Sequence, residues 1–363
     1  MTTHDWVDEA IAAASRQVRA IAGEARDFPH ITEAKQWQYT PDGVWTGGFW
    51  AGLLWLCYEN ELAPETLAQA IHFTDRLLAR ANDQHNHDLG FMFVPSAVKG
   101  WQLTGDQRYH AAAIAAARAL AKQYNSQAGY IPGWGFFGGV DWNGSVLIDT
   151  LMNMPLLVWA AEQANEPHLL AVAHGHSATS LAHHFRPDGS VYHVFVFDPA
   201  SGAPLHGDTY QGYAPDSAWA RGQAWAITGL AIMAARTGDA SYRAASERSA
   251  AYFLQRLPED GIPPWDFDAP GSDQPKDASA GAIASYGLQK LFTLTGERRY
   301  LGEASELLRR LAASCGNIGD AGGLLLHSTA DLPHGLGIDE STMYGDYYYL
   351  KSLLALRREL ATV

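Results

Sequence analysis

Cysteine is nearly absent from this chain: Cys57 and Cys315 are the only two, far apart in sequence. Neither belongs to a CxxC pair or to a spacing that would hold a metal, so a disulfide framework and a cysteine-based metal centre are both excluded, and two buried reduced thiols are expected. No Lys/Arg-rich run occurs, and 39 acidic against 25 basic residues leave a net charge of −14. That balance excludes nucleic acid and anionic membrane surfaces as expected partners. No apolar run is long enough to span a bilayer. The N-terminal Met1-Thr2-Thr3-His4-Asp5 lacks the basic start and apolar stretch of a secretion signal, so a cytoplasmic protein is expected, a monomer or weak homodimer.

What is present is apolar and helical. Hydrophobic residues make up 47% and charged residues 18% of the 363 positions, enough for a large core and too apolar for disorder. One junction recurs: Leu103-Thr104-Gly105-Asp106 with Tyr109, Arg236-Thr237-Gly238-Asp239 with Tyr242, and Leu294-Thr295-Gly296-Glu297 with Tyr300. The glycine reads as a helix stop, the acidic residue as the start of the next helix, and the tyrosine as that helix's first inward anchor. Asn60-Glu61 and Asn165-Glu166-Pro167 are looser versions. Such a recurrence marks a helical-hairpin repeat.

Around these junctions, amphipathic Ala/Arg-rich helices are predicted near 5–22, 64–81, 107–124, 166–185, 240–257 and 297–314. More apolar, aromatic-rich helices are predicted near 47–60, 90–104, 146–163, 217–237, 278–295 and 343–360. Six inner and six outer helices predict an all-α (α/α)6 barrel over residues 1–363 as a single catalytic domain. An open solenoid is the alternative, but its repeats would be more uniform. The long connections all lead from an outer helix to the next inner one, so in a closed ring they share one face. That face is the predicted active-site mouth. One connection, from Ser190 to Phe197, alternates and breaks at Asp198-Pro199-Ala200-Ser201-Gly202, which predicts a small β-hairpin.

Asp149, between Val146-Leu147-Ile148 and Leu151-Met152, has little around it to solvate a carboxylate, and burial would raise its pKa. A carboxyl kept protonated serves as a general acid; a helix N-cap is the competing reading. Asp88 occupies the equivalent place before the second inner helix, so the two carboxylates can converge on one cavity, the usual equipment for glycoside chemistry. A metal at His85-x-His87-Asp88 lacks further ligand spacing. Of twelve tryptophans, Trp45, Trp134, Trp219 and Trp225 are candidates for stacking on sugar rings, with core packing the competing role. Arg221, between Trp219 and Trp225, fits a substrate carboxylate, a site aspartate or a structural salt bridge. His193 and Gln211, just upstream, are candidates for bonding hydroxyls or a water.

Several longer motifs occur in order: Trp45-Thr46-Gly47-Gly48-Phe49-Trp50, His87-Asp88-Leu89-Gly90-Phe91, Ile148-Asp149-Thr150-Leu151-Met152-Asn153-Met154-Pro155, Trp219-Ala220-Arg221-Gly222-Gln223-Ala224-Trp225 and Tyr344-Gly345-Asp346-Tyr347-Tyr348-Tyr349. Together they resemble the unsaturated glucuronyl hydrolases, glycoside hydrolase family 88, across nearly the whole chain. The resemblance implies removal of a terminal 4,5-unsaturated uronic acid from lyase-generated oligosaccharides, with no metal or organic cofactor. It implies that Asp149 protonates C4 of the enol ether, that water adds at C5, and that the hemiketal opens to release the remaining sugar. Asp88 matches the second essential aspartate, and Trp45, His87, Trp134, His193, Gln211, Trp219, Arg221 and Trp225 match pocket positions. The segment His327 to Gly335 departs from the family pattern where the leaving sugar is expected, and Asn86 stands where a second histidine is common. A rhamnogalacturonyl hydrolase would differ mainly in these loops. A sugar 2-epimerase on the same ring would need paired histidines near the axis, of which the inner helices offer few.

Overall fold

The recurring junctions fold as their residue types require. A computed structural model describes residues 3–133, 143–317, 319 and 321–361. In it Gly105, Gly238 and Gly296 each end a helix in the left-handed region (φ 74°, 73° and 72°), where a side chain would be strained. Asp106 and Asp239 then accept a backbone N–H from Arg108 and Ser241, capping the next helix. Tyr109, Tyr242 and Tyr300 are all buried. Such an anchor contributes on the order of 2–3 kcal/mol in apolar burial, and Tyr109 also donates to Asp75 (2.9 Å).

The outer helices are α1 (Thr3–Glu24), α3 (Pro64–Leu77), α6 (Gln107–Ala121), α8 (Pro167–His183), α10 (Ala240–Gln255) and α12 (Arg298–Ser314). The inner positions hold α2 (Gly47–Glu61), then α4 (Leu89–Phe93) and α5 (Lys99–Thr104) joined through a π-helical turn (Val94–Val98), then α7 (Met154–Ala164), α9 (Ala220–Thr237), α11 (Ala278–Thr295) and α13 (Met343–Leu360). Around the inner ring α2 contacts α4, α4 contacts α7, α7 contacts α9, α9 contacts α11, α11 contacts α13, and α13 returns to α2. That closure is the (α/α)6 barrel and excludes the open solenoid. Among the described residues no helix is long and apolar enough to cross a membrane, and both cysteines are buried and unpaired.

Three local departures separate the structure from the periodicity. The second inner helix is interrupted at Pro95, whose missing N–H breaks the α-helical ladder and leaves the π turn. The third begins eight residues late, because Ser145–Leu147 forms a strand, β3, and Ile148–Met152 a 3-10 turn before α7. A hairpin not foreseen, β1 (Phe28–Glu33) with β2 (Gln36–Thr40), turns at Ala34 and Lys35, both at positive φ (49° and 60°). The expected hairpin is present as β4 (Val194–Phe197) with β5 (Pro204–Asp208), and β3 adds to it as a third antiparallel strand.

Candidate active site

The β3–β4 ladder fixes Asp149. Leu147 pairs with Val194, and Ile148 donates its N–H to the His193 carbonyl (2.9 Å) before the chain turns into the 3-10 segment. Ile148 and Leu151 bury their side chains, whereas the Asp149 side chain keeps 15% exposure on the cavity wall. Its Oδ1 has no hydrogen-bond partner. The carboxylate caps no helix N–H, which removes the capping reading. Its electrostatics correct the sequence-based expectation: burial pushes the pKa up, but the His87 ring beside it outweighs that and holds Asp149 below the usual carboxylate range. An apolar neighbourhood in sequence did not disclose a histidine contributed by another loop.

Asp88 immediately precedes α4 and also caps nothing. It is 6% exposed, and its Oδ1 accepts from Asn153 Nδ2 (3.2 Å), while Asn153 Oδ1 accepts from the Phe91 N–H (2.8 Å). Asn153 thereby ties the loop before the second inner helix to the start of the third. The fit needs glycine at position 90, since a Cβ there would come within 2.4 Å of Asn153 Cα. Burial and the neighbouring Asp149 charge push the Asp88 carboxyl up to about 6 although His87 and Asn153 pull it down. Asn153 was not singled out from the sequence. Its signal is a lone amide in an apolar run just before Pro155.

His87 links the two carboxylates, its Nε2 standing 3.5 Å from Asp88 Oδ1 and 3.7 Å from Asp149 Oδ2. Burial alone would lower its pKa, but the two aspartates raise it. One donor atom from each of these residues lies within 4.8 Å of the others. A divalent cation would find three ligands here, but His85 is not one of them, so the His-x-His reading fails on geometry. His193 accepts the Tyr210 and Gln211 N–H groups on Nδ1 (3.2 Å each), which places its own proton on Nε2, buried and without a partner. Burial holds His193 neutral, its pKa pulled down to about 4. Its ring packs at a tilt of 35° against Trp219 (4.4 Å between centres), one layer behind the cavity surface. Among the described residues His30 and His87 line the cavity and His193 stands behind it, none of them from an inner helix.

Trp45, Trp219, Trp225, Gln211 and Arg221 all line the cavity, which is narrow, about 70 Å³. Trp45 is half-buried and stacks on Tyr344 (5.2 Å, 19° between planes); Trp219 and Trp225 are buried. Arg221 is committed elsewhere. Its guanidinium bonds Asp277 (2.5 Å) and the carbonyls of Thr329 and Ala330, and lies 4.4 Å over Trp219. It therefore pairs with neither catalytic candidate and holds the 328–340 loop against α9 and α11. Gln211 gives its amide to the Ala330 carbonyl (2.8 Å). Trp134 lies outside the described residues. The structure adds His30, Asp331 and Tyr344 to the wall. Burial pulls His30 down to about 4. Asp331 accepts from His334 (2.7 Å), which stacks on Tyr210 (4.2 Å), so the segment that departs from the family pattern forms part of the mouth.

A larger cavity, about 510 Å³, opens at the opposite end of the ring. It holds neither Asp88 nor Asp149, and the grouping of two carboxylates around one imidazole makes the narrower one the candidate active site.

Comparison with known proteins agrees. The Glycosyl Hydrolase Family 88 pattern matches residues 14–348. The chain is 35% identical to an unsaturated glucuronyl hydrolase of Bacillus sp. (strain GL1), covering 97% of this chain and 96% of that one. It is also 35% identical to an unsaturated chondroitin disaccharide hydrolase of Streptococcus pyogenes serotype M1, covering 97% and 92%. A solved UGL variant with dGlcA-Glc-Rha-Glc superposes with TM-score 0.92 at 34% identity, covering 97% of each chain. The chain belongs to glycosyl hydrolase family 88 and is a glycoside hydrolase.

Proposed function

We propose that this enzyme removes a terminal 4,5-unsaturated glucuronic acid from lyase-generated oligosaccharides by hydrating the C4=C5 double bond. The observation that carries the reading is the grouping of Asp88, His87 and Asp149. Both carboxylates lean on one imidazole, so they sit side by side on one wall. The two carboxylates approach within 4.8 Å, close to the about 5–5.5 Å of a retaining acid–nucleophile pair, so the shared imidazole and not the spacing favours this reading. A side-by-side pair suits delivery and recovery of a proton at one carbon. Asp149 is the proton donor to C4. It is ionised in the empty site, and arrival of the uronate carboxylate with exclusion of water favours its neutral form. Protonation leaves positive charge on C5 and the ring oxygen, water bonds to C5, and Asp149 recovers its proton from that water. Asp88, fixed by Asn153, orients the ring and its hydroxyls, and the half-buried Trp45 offers a stacking face.

The enzyme needs no metal in this scheme, and the expected setting is the cytoplasm, as a monomer or weak homodimer. With unsaturated disaccharides from several polysaccharide lyases, the alkene's ultraviolet absorbance should disappear as product forms, unchanged after exhaustive chelation. Loss of activity on chelation, restored by a divalent cation, would make the three-residue cluster a metal site and remove Asp149 as the acid.

A further inference from the structure

The larger cavity at the far end of the ring is cationic. Lys99 of α5, Arg236 of α9, Lys290 of α11 and Lys351 and Arg358 of α13 line it, against the carboxylates of Glu59 and Glu359. Lys99 is paired with Glu59 (2.8 Å), and Arg236 leans on Glu162 (3.7 Å), which lies off the wall. Among the described residues Lys290, Lys351 and Arg358 have no carboxylate within ion-pair distance. On a chain of net charge −14, three uncompensated cations around one cavity are out of character.

Lys351 anchors the group. Its ammonium donates to Tyr347 Oη (3.1 Å) and lies 4.4, 4.9 and 5.4 Å from the ring centres of Tyr286, Tyr347 and Tyr348. Lys290 stands 5.0 Å from the Tyr286 ring. Burial would raise the Tyr286 phenol, yet the two ammonium groups hold it below its ordinary value. Phenol faces offset part of the cost of desolvating a cation, but they supply no counter-charge. The reaction proposed above uses none of these groups. An aromatic partition separates the two cavities: Phe91 and Tyr348 face this one, while their ring partners Trp45 and Trp225 face the other (Phe91 to Trp45 5.7 Å, Phe91 to Trp225 4.9 Å, Tyr348 to Trp225 5.5 Å).

We propose that the far mouth of the barrel is a second binding site, for a small, multiply charged oxyanion such as a phosphate or sulfate ester. The cavity volume falls in the range of small-molecule sites, about 300–1,000 Å³. Cations arrive from α11 and from two positions two turns apart on α13, so an oxyanion is met from more than one side, and three open cations call for more than a single carboxylate's charge. The proposal does not depend on the reaction assigned to the other cavity.

The test titrates the full chain with inorganic pyrophosphate, inorganic phosphate and sulfate, holding ionic strength constant with chloride, and reads binding heat and thermal midpoint. Saturable binding is expected, with a midpoint that climbs with the logarithm of probe concentration. Stronger binding of the phosphates identifies phosphate esters as the ligand source; stronger binding of sulfate identifies sulfate esters. Lys290→Gln, at a half-buried rim position, should weaken binding by about tenfold or more, the loss of one charge-assisted contact, with turnover of an unsaturated disaccharide unchanged. Lys351→Met should weaken it at least as much. Absence of saturable binding with every probe overturns the proposal. So does binding that is displaced by the disaccharide and untouched by Lys290→Gln, because the anion would then occupy the other cavity.

Discussion

Asp149 and Asp88 carry the same functional group on the same wall, and their surroundings set them apart. Asp149 lies below the ordinary carboxylate range beside His87, and Asp88 above it through burial. Asp149→Asn keeps size and shape but has no proton to give, so kcat should fall by about 10²–10⁴-fold, the usual worth of a general acid, with the thermal midpoint little changed. Unchanged kcat would remove Asp149 from the chemistry. Asp88 predicts a pH effect. As pH rises through about 6 its carboxyl ionises, and an anionic uronate then meets two carboxylates instead of one. KM should therefore climb on the alkaline side. Asp88→Asn should flatten that climb while lowering kcat, since the ring is no longer aligned; a KM that climbs equally in the variant would contradict the assignment. The two aspartates were legible in the sequence because they precede equivalent inner helices. Their charge states were not, because His87, His193 and Asn153 act across loops that sequence spacing does not bring together.

At the scale of elements, legibility follows the local chemistry. The helix boundaries at Gly105, Gly238 and Gly296 could be read because a left-handed stop, an N-cap and a buried tyrosine are all local demands. The β1–β2 turn could not, because Ala34 and Lys35 adopt positive φ without the Asn or Gly that usually signals it. Strand β3 was hidden inside an apolar run that reads equally well as helix. Arg221 shows the same limit for a side chain: its position between two tryptophans was plain, but its partner Asp277 comes from the far side of the fifth long loop. That pair is buried on both sides. Arg221→Met should cost about 3–5 kcal/mol by stranding Asp277, and should raise KM by freeing the Thr329 and Ala330 carbonyls from α9. Adding Asp277→Asn should restore part of the stability and leave the KM defect. Loss of stability without any change in KM would show that the 328–340 loop does not depend on the guanidinium for its place.

The whole molecule turns a ring of helical hairpins into a scaffold with two unlike ends. Every long connection leaves from the same face, so groups separated by more than 200 residues, from His30 to Tyr344, line one narrow cavity. The periodic helices announced that closure, and the motifs at the inner-helix starts announced what the closed face would carry. The cationic far end was not announced, because its lysines and arginines fall on four separate helices and meet only when the ring shuts. The central claim is that the chemistry takes place at the double bond and leaves the anomeric carbon alone. It is tested most directly by running the reaction on an unsaturated disaccharide in water labelled with deuterium and heavy oxygen, with product analysed before its carbonyl oxygens exchange. Deuterium at C4, heavy oxygen on the carbon derived from C5, and inertness of the matching saturated glucuronide are the predicted result. Heavy oxygen at C1 with the alkene intact would contradict the account, and would make Asp88 and Asp149 a conventional glycosidase pair.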